Sequence, residues 1–458
     1  MRRLALVGSL CTTLLAALPA AGGTILYATA ASVARVDGFC VGAGGGFVPG
    51  ANIVHADTKG TEPRRLLVAP GPGGVDGVLY VGERDRVEAF TIGPHGGLKF
   101  LGSTTLIKDE LPAIKSELPM DVMDMAFSPD GRTLYVAQNG PDRIAAYPLD
   151  PKTGLVLAPK TGFTSCIQGR PNAAYRALLV RNSLLYVSEQ LTPGRIANFP
   201  IDAGGGLGHD PTECSGQRPK FCNAGSRARQ MCTTDDTDAT TGCPGATCPG
   251  CCVALTLPIS ERRRIERPRS FLILDDRVYV EEVETKRIKA FNLQPDGLFP
   301  PPTMVGKRLR WENPVSRTAS VLGYADLVLF RSTLLASQFE KGRIDAYRLK
   351  PDGRLPRQPT RHTKEDVRTS PVRMTISRCS GGSNDGLACA SAMECPGGTC
   401  PSAANVLYVA AGELDRVQAF RLRQSDGLPS PAPFSQTDEQ TGSFPNDVAL
   451  AVLSDECR

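Results

Sequence analysis

Ser128-Pro129-Asp130-Gly131-Arg132-Thr133-Leu134-Tyr135-Val136-Ala137, followed by Asp142-Arg143-Ile144-Ala145-Ala146-Tyr147 and by Asp150 to Leu155, is the stretch that decides the fold. Pro129 sets φ for a tight turn, and Gly131 suits a position that needs positive φ. The apolar residues on either side alternate with period two, which reads as β-strands. The Leu-Tyr-Val triplet recurs along the chain. Its copies begin at Leu26, Leu79, Leu134, Leu185, Val278, Leu334 and Leu407, with spacings of 53, 55, 51, 93, 56 and 73 residues. The two long spacings each hold a cysteine-rich insert, Cys214–Cys252 (39 residues) and Cys379–Cys400 (22 residues). Without the inserts the period is 51 to 56 residues, repeated seven times.

Each unit carries a second signature after the triplet. Arg opens it, a β-branched residue follows, and an aromatic closes it: Arg86 to Phe90, Arg143 to Tyr147, Arg195 to Phe199, Arg287 to Phe291, Arg343 to Tyr347 and Arg416 to Phe420. Turns such as Pro295-Asp296-Gly297 and Pro351-Asp352-Gly353 come next. Long units of several strands with tight turns predict an all-β fold, a seven-bladed β-propeller. In each blade the first strand should line the channel. The triplet forms the second strand, the Arg signature the third, and the fourth lies outermost. Asp447 to Leu453 looks like a first strand with no second strand after it, and Leu26-Tyr27-Ala28 like a second strand with no first before it. One blade is therefore expected to be shared between the N- and C-terminal strands, closing the ring. Open edges in the alternative, a non-closed β array, invite aggregation.

The opening stretch resembles the seven-bladed lactonase family, which includes the bacterial propeller 6-phosphogluconolactonases. The resemblance covers nearly the whole of 23–458 apart from the inserts. It implies the propeller fold, and it implies lactone hydrolysis as one activity. Surface-layer and binding propellers share the same strand motifs. A WD40 array is not expected, because the single Trp, Trp311, lies outside the strand motif.

The N-terminus points to export. Met1-Arg2-Arg3, an apolar run through Leu18 and the small residues Ala20 to Gly23 read as a signal peptide over 1–22 rather than as a membrane anchor. A secreted, periplasmic or cell-surface location is expected, with no membrane span. The chain has 15 cysteines, and removal of the signal takes Cys11 and leaves an even number. Two matching modules, Cys222, Cys232, Cys243, Cys248 and Cys379, Cys389, Cys395, Cys400, are expected to hold two disulfides each. A zinc site is the weaker reading, since Cys-x-x-Cys pairs are mostly missing. Chain order puts both modules on the lower face, opposite the start of the first strands. Cys40 and Cys457 should meet on that face in a disulfide locking the ring.

Aligning the first strands places one charged residue ahead of each. In ring order they are Asp447, Arg65, Asp124, Arg176, Arg269, Asp326 and Arg373. These residues are the candidate ligand-binding ring at the upper mouth of the channel, with Arg176, Asp326, Asp124 and Arg269 as catalytic candidates. Near-alternating signs also suit a structural ion-pair network. The arginines that open the third strands are expected to serve the repeat itself.

Hydrolysis of a lactone needs a carbonyl-polarising cation and a general base. The resemblance implies a His before the Ser-Pro-Asp-Gly turn, and the matching stretch Asp121 to Met125 has none. Only His55, a solvated loop residue by expectation, could reach the upper face. A binding or scaffold role therefore stands first, with a lactone hydrolase as the alternative. The expected partner is a protein or a small anionic ligand, and the ring is expected to be a monomer. No P-loop, dinucleotide fingerprint, nucleophile elbow or metal-ligand cluster is present, so neither a cofactor nor a metal is expected. A net charge of +5 in 458 residues does not suggest a nucleic-acid binder.

Overall fold

The computed structural model describes residues 23–50, 54–71, 76–106, 121–139, 143–158, 175–181, 183–190, 194–207, 267–282, 287–295, 324–366, 370–377, 405–437 and 444–453, with short pieces at 220–221, 231–232 and 255–256 and single positions at 297, 455 and 457. Seven antiparallel sheets of three or four strands, one per sequence repeat, make a seven-bladed β-propeller. Blade one orders Val448–Val452, Thr24–Ala30, Arg35–Val41 and Val54–Asp57, so strands from the two ends of the chain pair within one sheet. Blade two is Arg65–Pro70, Gly77–Gly82, Arg86–Ile92 and Leu98–Thr105. Blade three is Asp121–Phe127, Thr133–Asn139 and Arg143–Pro148. Blade four is Tyr175–Arg181, Leu184–Glu189, Arg195–Pro200 and Leu255–Thr256. Blade five is Pro268–Leu274, Arg277–Glu282 and Arg287–Asn292. Blade six is Tyr324–Phe330, Thr333–Gln338, Arg343–Arg348 and Arg361–His362. Blade seven is Pro371–Ile376, Val406–Ala411, Arg416–Arg421 and Ser435–Gln436.

The core is divided into wedges, one between each pair of neighbouring blades. The period-two alternation explains the division. Leu134 and Val136 pack toward blade two with Val78, Tyr80 and Val122, while Tyr135 and Ala137 pack toward blade four with Leu178 and Val187. A strand buried on both faces needs apolar residues at every position, which is what Leu-Tyr-Val supplies. Blade seven meets blade one in the same way, through Val406 and Tyr408 against Leu26 and Phe39.

Tyrosine is polar at its tip, and the buried hydroxyl must find an acceptor. Tyr27, Tyr80, Tyr135, Tyr186, Tyr279 and Tyr408 donate to the carbonyls of Gly96, Gly154, Gly205, Gly297, Gly353 and Gly45, each in the next blade, at 2.5 to 2.9 Å. Blade six has Leu335 in place of Tyr, and there the Thr333 hydroxyl donates to the Asp426 carbonyl of blade seven. The acceptors are turn glycines. Gly154 has φ +76° and Gly297 φ +79°, and a Cβ on Gly297 would lie 2.8 Å from the Tyr186 hydroxyl. Both backbone conformation and close approach therefore require glycine there.

Cys40 and Cys457 form a disulfide with their Cα atoms 5.5 Å apart, linking the end of the second strand of the chain to its last residues. It is the one disulfide among the described residues. The module cysteines lie outside the described residues, apart from the backbone of Cys232, which pairs with Lys220 in a short hairpin. The signal segment 1–22 also lies outside them. No helix among the described residues is long and apolar enough to cross a membrane.

Two stability measurements follow from this packing. C40S/C457S is expected to lose about 2–5 kcal/mol in a denaturant titration, because the cross-link spans almost the whole chain. Tyr135→Phe leaves the buried Gly205 carbonyl without its donor and is expected to cost about 1–2 kcal/mol in the same titration.

Candidate functional site

The charged residues at the upper mouth sit at a structural irregularity. In blades three to seven the pairing of the first strand with the second slips between Val122 and Asp124, Tyr175 and Leu178, Pro268 and Phe271, Tyr324 and Leu327, and Pro371 and Arg373. Asp124, Arg176, Arg269, Asp326 and Arg373 lie at these bulges. The sequence reading, which began each strand just after the charged residue, is corrected here. In these five blades the strands begin two to four residues earlier, and the bulge interrupts the apolar alternation that would have shown it. A bulge re-aims the side chain it carries. Arg65 does open its strand, and Asp447 immediately precedes Val448–Val452.

The three aspartates act first as clasps between blades. Asp124 Oδ2 accepts the Leu178 N–H at 2.8 Å, Asp326 Oδ2 the Met374 N–H at 2.9 Å, and Asp447 Oδ2 the Leu66 N–H at 2.9 Å. The second oxygens of Asp124 and Asp326 meet arginines. Arg373 lies 3.1 Å from Asp326 Oδ1 and 3.7 Å from Asp124 Oδ1, and Arg65 Nε lies 3.7 Å from the same Asp124 oxygen. Arg65 comes from blade two and Arg373 from blade seven, yet both reach Asp124 of blade three. The five residues make a network across the mouth rather than an open ring.

The electrostatics agree with that reading. Burial works against the charge of Arg373, but Asp326, Asp124 and Asp447 outweigh it and hold its pKa above the usual value. Burial, reinforced by Arg373, pushes Arg65 down to about 10, so it stays charged at neutral pH. Burial likewise raises Asp447, against the pull of Arg65 and Arg373. Asp124, Asp326 and Arg373 also cap a cavity of about 390 Å³ whose walls include Leu179, Ile273 and Leu329.

Arg176 and Arg269 stand apart from the network. Arg176 donates through Nε to the Gln190 side chain and lies 3.5 Å from the Met123 sulfur. Among the described residues the charged groups acting on it most are Arg269, Arg267, Asp121 and Arg64. Burial, then the like charges of Arg269 and Arg267, push Arg176 down to about 10. Asp121 is buried and lies 3.4 Å from Arg64 and 3.8 Å from Arg84. Burial raises its pKa, with Arg64 and Arg84 opposing. Glu62 ties Arg64 at 2.7 Å and Arg84 at 3.7 Å from the rim. Arg267 is held at φ +49°, in the left-handed region.

Sequence reasoning missed Arg64, Arg84, Arg267 and Asp121. The available signals were the pairs Arg64-Arg65 and Arg267-Pro268-Arg269, each with a second arginine next to a ring residue. His55 also differs from expectation. It lies in the outer strand Val54–Asp57 of blade one, and its Nδ1 is 2.6 Å from the buried Asp37. Among the third-strand arginines whose side chains are described, Arg86 pairs with Asp85 at 3.0 Å, Arg343 with Asp345 at 2.9 Å and Arg416 with the Leu414 carbonyl at 3.3 Å, while Arg287 Nε is buried without a hydrogen bond among the described residues.

Compared with known proteins, the chain matches no family model and no curated protein sequence. Among solved structures it is similar to a candidate 6-phosphogluconolactonase from Bacteroides uniformis, with TM-score 0.59 and 14% identity over 94% of this chain and 99% of that one. A candidate 6-phosphogluconolactonase from Bacteroides fragilis gives TM-score 0.56 and 15% identity over 94% and 98%. The periplasmic gluconolactonase PpgL of Pseudomonas aeruginosa gives TM-score 0.55 and 14% identity over 94% and 99%. At such identity the likeness is one of fold, and the lactonase-like propeller read from the sequence holds at that level.

The network yields a stability test. Asp326→Ala removes both the clasp to Met374 and the partner of a buried guanidinium, and is expected to cost about 3–5 kcal/mol in chemical denaturation. Asp326→Asn keeps an oxygen for the Met374 amide and should lose less.

Proposed function

We propose that the protein is an exported propeller that binds a small anionic ligand on its upper face, through Arg176 and Arg269 with Arg64 and Arg267 beside them. The observation that carries this reading is the gathering of arginines at Arg176: among the described residues the like charges acting on it most are Arg269, Arg267 and Arg64, with Asp121 opposing, and Glu62 is shared between Arg64 and Arg84. Guanidinium groups crowded at a partly buried site are stabilised by a carboxylate, phosphate or sulfate group that accepts paired N–H bonds. In this reading Arg65, Asp124, Asp326, Arg373 and Asp447 serve the scaffold, because each is already engaged in the network or the clasps. Closure of the ring by the shared blade and the Cys40–Cys457 bond holds the arginines of different blades at fixed distances. The leader over 1–22 and the cysteine modules suit an oxidising compartment outside the cytoplasm. The ring acts as a monomer, with the lower-face modules as a further surface for a protein partner.

A second reading, lactone hydrolysis, draws support from Asp121. Its Oδ1 is buried without a well-formed hydrogen bond, and arginines flank it. A carboxyl with a raised pKa beside a cation is the minimal pair for activating water and steadying an oxyanion. Asp121 occupies the stretch in which the lactonase resemblance led us to look for a His.

Calorimetry with a panel of sugar acids, sugar phosphates and inorganic sulfate tests the first reading. Arg176→Ala is expected to weaken the best ligand about tenfold or more, equivalent to about 1.4 kcal/mol. No binding of any anion by the wild type would defeat it. The same panel as lactones tests the second: turnover that Asp121→Asn abolishes while anion binding persists would make the site hydrolytic.

A further inference from the structure

The residue that follows each Leu-Tyr-Val triplet obeys a rule with one exception. It is Thr29, Gly82, Ala137, Ser188, Ser337 and Ala410 in six blades, and Glu281 in blade five. The position faces inward. Thr29 Oγ1 accepts the Asn446 and Asp447 N–H groups at 2.9 and 3.0 Å, and Ser188 Oγ accepts the Ala177 N–H at 2.9 Å. A Cβ on Gly82 would lie 2.5 Å from Val122 Cγ1. The site is built for a small residue. Glu281 puts a carboxyl there, with no exposure to solvent.

Among the described residues neither Oε of Glu281 makes a well-formed hydrogen bond, and the polar group that faces it is the Ser270 amide. Its neighbour Glu282, equally buried, is paired with Lys289 at 2.7 Å. Charged groups approach Glu281 from three elements: Arg269 from Pro268–Leu274, Asp326 from Tyr324–Phe330 and Arg373 from Pro371–Ile376. Arg373 is already committed to Asp326 and Asp124. Arg269 is the cation left to answer Glu281, and it also lies beside Arg176. A buried carboxyl so placed keeps its proton at pH values where an exposed one has lost it. Burial pushes Glu281 up to about 8, with Arg269 opposing and Asp326 adding.

We propose that Glu281 is a positioning residue for Arg269. Protonated, it leaves the arginine to a bound anion; ionised, it draws the arginine to itself and weakens the anion's hold. The step is the release of one proton from the Glu281 carboxyl to solvent as pH rises. The inference rests on the upper-face anion reading above and gives that site a pH range.

Sulfate is a suitable probe because it remains a dianion throughout. Its affinity for the wild type is expected to fall about tenfold between about pH 6 and about pH 9, either side of the carboxyl's transition. Glu281→Gln, and Glu281→Ser, which installs the residue found in blades four and six, are expected to show no such fall. A fall in both variants as large as in the wild type overturns the proposal. Sulfate binding that is independent of pH in the wild type overturns it and leaves the anion site standing. No sulfate binding at any pH defeats both.

Thermal unfolding gives a readout independent of the ligand. The folded protein holds a proton that the unfolded chain releases near the ordinary value of 4.5, so the stability due to Glu281 falls as pH rises from there to about 8. The melting temperature of Glu281→Gln, relative to the wild type, should therefore rise across that window. A difference that stays constant overturns the protonated Glu281.

Discussion

The hydrogen bond from the tyrosine hydroxyl of one blade to a turn glycine carbonyl of the next is the constraint on which the rest of the structure depends. It ties each blade to a turn of its neighbour with a directional bond that apolar packing alone does not supply. The donor is rigid, the acceptor is backbone, and the site is buried, so an unmade bond carries a desolvation cost. Blade six keeps the constraint with a different donor, Thr333, because Leu335 has no hydroxyl to offer. The series runs from each blade to the next and returns from blade seven to blade one through Tyr408 and Gly45.

Once the blades are set, their first strands converge, and Arg65, Asp124, Asp326, Arg373 and Asp447 meet in one network. Convergence makes charge order decisive. Going round from Asp447, the signs alternate except at blades four and five, where Arg176 and Arg269 are neighbours of like sign. Where signs alternate, aspartates take an inter-blade amide with one oxygen, and Asp124 and Asp326 use the other to meet an arginine. Where alternation fails, Arg176 and Arg269 pair with none of these aspartates among the described residues. Blade five, the site of that failure, is also the blade that carries Glu281, so excess positive charge and a buried acid lie side by side.

The propeller was legible in the residues because a repeat advertises itself. Seven copies of a strand triplet at near-equal spacing, each followed by an Arg-led strand and a glycine turn, leave few other arrangements. The Cys40–Cys457 pair was legible for a related reason: ring order placed the end of an early strand and the last residues of the chain in one blade. The bulges were not legible, since a one-residue slip leaves no mark in composition, and they moved the starts of five first strands. The purpose of the triplet tyrosine was also hidden. As a sequence feature it reads as strand propensity, and only the next blade supplies its acceptor.

By itself, then, the sequence determined the number of blades and the strand order within each, because those follow from periodicity along the chain. Which charges neutralise one another was decided only by the tertiary structure. Arg65 and Arg373 are more than 300 residues apart, yet both reach Asp124. Charges interact through space at a few ångströms, and no spacing along the chain encodes that distance until the blades are locked around a common axis.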